Sequence, residues 1–144
     1  MTTIEEEKYR VKRSESQQKA MLFLIDNKIF VGYADVLIIS AIIGFINKSK
    51  KPIEKQASDP VQISFFGPEA KSIIKLIAFL DSGDPGIINR MDKFQIFEEY
   101  ANAGFPILLE KLELDSGSIA KGDCTVNKLQ VLKRYDSIVH QIGL

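Results

Sequence analysis

The chain has one cysteine, one histidine and no tryptophan among its 144 residues. A lone Cys124 excludes an intramolecular disulfide and fits a reducing cytoplasm. A lone His140 excludes a histidine-based metal cluster. Cys124 and His140 fall towards opposite ends of the final helical segment, roughly 20 Å apart if that helix is continuous, too far for a thiolate–imidazole pair. Net charge is also missing, since 19 basic residues balance 19 acidic ones. Whole-chain charge therefore gives no argument for a nucleic-acid partner. No apolar segment follows Met1, so secretion is not expected. No run approaches the ~20 apolar residues of a membrane span, so no membrane partner is expected. There is no Gly-rich phosphate loop after a strand, no G-x-S-x-G, and no calcium-loop spacing. No catalytic or metal-binding residue is assigned, and no cofactor is expected.

What is present centres on Phe30–Phe45, FVGYADVLIISAIIGF, the most apolar stretch of the chain. From Val36 to Ile43 apolar side chains cover nearly every side of a helix, as in a buried core helix. Ala34, Ser40, Ala41 and Gly44 are small and let neighbouring helices approach. Asn47, Lys48, Lys50, Lys51 and Pro52 mark its end. Length and composition suit one domain over residues 1–144, burying about 70% of its unfolded surface. Residues 1–7 are expected to be disordered, and 49–60 to form an internal loop.

The rest reads as a mainly α, compact bundle of five to six helices with a short N-terminal strand and a further short strand. Ser14 with Gln17, or Ser16, starts a helix reaching about Asp26. Val61, Ile63 and Phe65 alternate as a strand does. Pro68 opens a helix with Ala70, Ile73, Ile74, Ile77 and Leu80 on one stripe. Asp81 and Asp84 lie in a turn over 81–86 and read as caps. Asp92 with Gln95 starts another helix. Pro106 predicts a break near Ala103–Phe105, with a separate helix from Pro106 to about Leu114. Residues 115–123 read as a polar loop. The last helix covers about Thr125–Ile142, with Leu129, Leu132, Tyr135, Val139 and Ile142 inward. Glu98 and Glu99 read as a solvated face.

The remaining chemistry is basic. Residues 1–58 carry ten Lys/Arg and seven Asp/Glu, whereas 59–117 carry five and ten. In a strand, Lys8, Arg10 and Lys12 share one side. They and Arg13 are the candidate nucleic-acid contacts, with Lys48, Lys50 and Lys51 as supporting phosphate contacts. A basic strand followed by two helices has the order of a ribbon–helix–helix element, whose two-stranded ribbon is built across a dimer and enters the major groove. The plainer reading is a charge-protected edge strand beside a solvated helix end.

Three stretches carry a family resemblance: YRVKRSESQQKAMLFLID, IFVGYADVLIISAIIGFINKSKKPI, and FLDSGDPGIINRMDKFQIFEEYANAGFPILLEKL. The pattern of Phe30–Val36, Gly44-Phe45 before Pro52-Ile53, and Glu98-Glu99-Tyr100-Ala101-Asn102-x-Gly104 resembles the DNA phosphorothioation (Dnd) system-associated protein 4 group. The resemblance implies a place beside systems that put sulfur into the DNA backbone or restrict unmodified DNA. It implies no catalytic residues. One cysteine does not furnish the thiolates of a sulfur-cluster enzyme. The expected function is a non-catalytic accessory protein of a phage-defence system that binds duplex DNA, another subunit of that system, or both. A dimeric ribbon–helix–helix regulator and a purely protein-binding subunit are the alternatives.

Overall fold

The structure is a computed structural model and describes residues 4–143. Seven α-helices and one two-stranded sheet are present among these residues. In chain order they are α1 (Ile4–Glu7), β1 (Arg10–Val11), α2 (Gln18–Asp26), α3 (Tyr33–Ile46), β2 (Val61–Gln62), α4 (Pro68–Ser82), α5 (Asp92–Lys111), α6 (Ser116–Lys121) and α7 (Lys128–Gln141). Short 3-10 turns precede α2, follow β2 and link α4 to α5. The mainly α class is the expected one. No helix among the described residues is long and apolar enough to cross a membrane.

α3 is the central helix. Val36, Leu37, Ile39, Ala41 and Ile43 are buried, and Ser40 is buried with them. Its principal neighbour is α5, against which it makes the most extensive helix–helix contact. The two backbones touch. A Cβ on Gly104 would stand 1.7 Å from the Ser40 carbonyl oxygen, and one on Gly44 would stand 2.2 Å from that of Tyr100. Only glycine fits at either position. The close approach lets Phe97, Phe105 and Leu108 of α5 pack fully into the same apolar cluster as α3.

Pro106 does not end α5, contrary to the expected break. Proline removes the N–H that would bond the carbonyl four residues back, that of Asn102. Here the Gln17 side-chain amide donates to that carbonyl at 2.9 Å. The orphaned acceptor is satisfied from outside the helix, and Pro106 itself is exposed.

Other elements depart from expectation for local reasons. Residues 1–3, expected to be disordered, lie outside the described residues. Residues 4–7 form α1, because Glu6 is drawn into a buried pair with Lys93. Ser14 does not cap a helix; its hydroxyl is 2.5 Å from the Asn102 side-chain oxygen. Asp92 does not cap α5, whose preceding residue is Met91. After β2 a 3-10 turn moves the inward position from Phe65 to Phe66, leaving Phe65 70% exposed. Leu80 likewise faces outward, and Ala78 takes its place in the core. The polar loop at 115–123 contains α6, capped by the Asp115 carboxylate accepting from the Ser118 amide. In α7 Val131 and Ile138 are buried, Leu132, Tyr135 and Ile142 pack half-buried against the core as expected, and Leu129, expected inward, is 64% exposed.

The turn after α4 begins two residues later than expected: Asp81 lies inside α4 and accepts from Tyr100 and Lys50 instead of capping, while Asp84 caps as read. Gly83 takes the left-handed conformation at the end of α4, and Asp84 caps the next turn by accepting from the Gly86 amide. Residues 49–60 are held to the rest by backbone bonds: the Lys51 amide to the Glu99 carbonyl, Ala57 to Arg13, and Glu15 to Lys55.

The α3–α5 contact yields a direct test. Gly104→Ala must push two backbones apart, so it should destabilise the protein by about 3 kcal/mol and lower Tm by about 10 °C. Gly67→Ala, where an added Cβ meets nothing within 4 Å but glycine is the N-cap of α4, should cost only about 1 kcal/mol. Thermal unfolding followed by circular dichroism measures both; equal losses would contradict the close contact.

Candidate functional site

β1 carries Arg10, with Lys8 and Lys12 two residues to either side. It pairs antiparallel with β2 of the same chain, Arg10 opposite Gln62 and Val11 opposite Val61. The strand is shorter than the sequence suggested: Lys8 lies in the turn after α1 and Lys12 just past β1, and Lys8, Arg10 and Lys12 are all exposed. Among the described residues none of the three forms an ion pair. Tyr9 and Val11 point inward.

The inward side fastens the strand. The Tyr9 ring stacks on Phe94 with centroids 4.1 Å apart, and its hydroxyl donates to the Glu98 carboxylate at 2.7 Å. The same carboxylate accepts from the Lys12 backbone N–H at 2.7 Å. Glu98 is therefore buried, not solvated as its adjacent acid pair suggested. Burial raises its pKa, partly offset by the Lys12 amide and Tyr9 hydroxyl bonds. Burial and the neighbouring carboxylate also hold the Tyr9 hydroxyl protonated well above the usual phenol range. One helical turn back, Lys93 is buried with its ammonium 2.6 Å from Glu6 and 2.9 Å from the Ile88 carbonyl.

Arg13 departs from the candidate set. It is 2% exposed. Its guanidinium lies over the Tyr33 ring at 4.0 Å, bonds the Gln18 side chain, and pairs with Asp59 at 2.6 Å. Such a group does not reach a phosphate without unpacking.

The second basic cluster sits elsewhere. Lys48 is exposed, in a left-handed conformation just after α3. Lys50 pairs with Asp81 at 3.2 Å and stands 5.6 Å from the Tyr100 ring centre. The Tyr100 hydroxyl donates to Asp81 at 2.5 Å; burial first, then this bond, pushes its pKa up to about 12. Lys51 is exposed, although its amide is bonded to Glu99.

Lys50, Lys51 and Lys55 line a groove of about 1070 Å³ that runs between residues 49–55 and the C-terminal half of α5. Pro106, Glu110, Glu113 and Asp115 also line it and are exposed, whereas Phe105 and Leu109 of its lining are buried. Ser14 and Gln17 close one end. Lys8, Arg10 and Lys12 do not line it. The two basic clusters are thus not brought into one site.

Sequence reasoning missed the buried Glu98 and Lys93 and the groove. The signal for Glu98 was present: it lies four residues after Phe94 and four before Asn102, on the inward face of α5. Among the described residues, no group of three or more His, Cys, Asp or Glu side chains could hold a metal ion. Cys124 is half-buried and His140 exposed.

These features define a helical protein whose distinctive surfaces are a fastened basic strand and an open groove of mixed charge. The chain belongs to the family of DNA sulphur modification system-associated protein 4, whose model matches residues 10–134. Comparison with curated proteins and with solved structures finds no match.

Glu98 generates a pH prediction. Its folded pKa lies above the ordinary 4.5, so the folded state holds this proton more tightly than the unfolded chain. Its contribution to stability is fully present below pH 4.5 and is lost as pH rises through the elevated folded value. Glu98→Gln removes that titration, so the variant's Tm relative to the parent should rise with pH across this window. Glu98→Ala leaves the Tyr9 hydroxyl and Lys12 amide without their acceptor and should cost about 2 kcal/mol. Melting curves between acid and neutral pH check both; a pH-independent difference for Glu98→Gln would contradict the burial argument.

Proposed function

We propose that the protein is a non-catalytic accessory component of a DNA phosphorothioation-linked phage-defence system, working in the cytoplasm beside modification or restriction enzymes. It contacts duplex DNA through the outer side of β1 and docks another subunit of the system. The observation that supports this most is the geometry of β1. Lys8, Arg10 and Lys12 are exposed on and beside a short strand that Tyr9, Glu98 and β2 hold in place. Preset cations lose little freedom when they meet phosphates, and such contacts position a protein without reading sequence. Association with a DNA sulphur modification system makes DNA a natural ligand for that edge. Arg13 and Lys50 are not part of the reading, since each is engaged internally. Lys48 and Lys51 remain exposed and supply secondary phosphate contacts.

The geometry favours this reading over the ribbon–helix–helix regulator. A ribbon shared by two chains needs a free β1 edge in each. One edge of β1 is paired to β2, and on the other the Lys12 N–H is bonded to Glu98. Absence of an activated nucleophile–base pair in the sequence supports the non-catalytic part.

Duplex binding measured against salt tests the proposal. Affinity should fall steeply with salt, and replacing Lys8, Arg10 and Lys12 together by Ala should reduce the log–log slope by about three. Arg13→Ala should act on stability and not on that slope. Salt-independent binding, or a triple variant with an unchanged slope, would remove the DNA contact.

A further inference from the structure

The groove beside α5 has a charge balance opposite to that of β1. Its lining includes the carboxylates of Glu15, Glu54, Glu110, Glu113 and Asp115 and the ammonium groups of Lys50, Lys51 and Lys55. Most of the cations are already neutralised. Lys50 pairs with Asp81 and Lys55 with Glu15, each at 3.2 Å, while Glu113 pairs with Arg134 at 2.6 Å. Setting those pairs aside leaves Glu54, Glu110 and Asp115 against Lys51 alone, among the described residues. The groove is therefore net acidic and repels a nucleic-acid backbone.

The exposed apolar residues of its lining are Pro52 and Pro106. Phe105 and Leu109 are buried core residues of α5, and Pro106 is exposed between them. The Gln17 bond to the Asn102 carbonyl, and the Asn102 amide bonds to the Lys51 and Pro52 carbonyls at 3.0 and 3.1 Å, tie the two sides together. A volume of about 1070 Å³ stands at the top of the range of small-molecule pockets, about 300–1,000 Å³. An open groove of that size suits a length of polypeptide better than a compact metabolite.

We infer that this groove docks a cationic segment of a partner protein, with apolar side chains against the exposed Pro52 and Pro106 and Lys or Arg side chains against Glu110 and Glu54. The assignment rests on the accessory role proposed above and gives that role its partner chemistry. It also separates the two surfaces: the basic strand for nucleic acid, the acidic groove for protein. An acidic segment would meet the unpaired carboxylates as like charges, and complementarity of this kind sets partner choice.

Amide NMR spectra of the full chain test the inference, with three probes: a short synthetic peptide of Lys, Arg and Leu, its Glu and Leu counterpart, and a short DNA duplex. The basic peptide should shift signals from residues 49–55 and 103–116, and the acidic peptide should not. Glu110→Lys should weaken the basic peptide about tenfold, as should Glu54→Lys, both being exposed positions that leave the core intact. The Lys8, Arg10, Lys12 triple variant should bind the basic peptide undiminished. A silent basic peptide, equal binding of the acidic one, or indifference to both Glu variants would overturn the assignment. So would groove signals that shift with protein concentration alone, which would give the groove to a second copy of the chain. Duplex binding that persists while the peptide arm fails overturns the groove and leaves the accessory reading standing. Peptide binding without duplex binding supports the groove and removes only the DNA contact.

Discussion

The contact of the α3 and α5 backbones at Gly44 and Gly104 is the constraint on which the other features depend. It places α5 flush against the central helix, with its Phe97 and Phe105 rings inside the core. A helix so fixed offers a stable outer surface. The N-terminal segment lies along that surface and is attached to it at intervals: Glu6 to Lys93, Tyr9 to Phe94 and Glu98, Ser14 and Gln17 to Asn102. Each attachment joins residues more than eighty positions apart. A shift of α5 would break them together, since they share one helix and are not independent.

The sequence made α3 legible because a helix that is apolar all round has few alternatives to burial. It also made the exposure of Lys8, Arg10 and Lys12 legible, although only Arg10 lies on β1. The helix start at Pro68 and the Asp84 cap followed from single residues with narrow conformational roles. What could not be read was whatever a distant partner decides. Proline at 106 argues for a break, and it would be right if Asn102 lacked another donor; Gln17 supplies one from 85 positions away. The adjacent acids Glu98 and Glu99 look alike, yet one is buried by the arrival of Tyr9 and Lys12 and the other stays at the edge. In α7 periodicity found Leu132, Tyr135 and Ile142, which pack against the core, and missed the more deeply buried Val131 and Ile138. The choice of Val131 and Ile138 comes from packing.

Burying Glu98 and the Lys93–Glu6 pair has a cost in desolvation that their bonds only partly offset. Apolar residues at those sites would pack with less penalty. What the polar groups add is register. A carboxylate that must accept both a phenol and one particular backbone N–H admits one position of β1 and excludes a slip by a residue. Such a slip would turn Arg10 inward and expose Val11. Stability given up at Glu98 is thus exchanged for a single orientation of the basic edge.

Arg10 and Arg13 show why counting charges along a chain misjudges a surface. They lie three residues apart in one basic run, KYRVKR. Arg10 falls on the outward parity of β1 and remains in water. Arg13 falls on the inward parity, where Tyr33 offers a ring face, Gln18 an acceptor and Asp59 a counter-charge. A guanidinium suits that place because its flat face stacks while its edge bonds. A lysine there would keep the charge and lose the stacking and the divided hydrogen bonds. The same run therefore supplies both an anchor for the strand and the cations it displays. A segment held by its own inward arginine can present three cations to solvent without relying on a partner to order it.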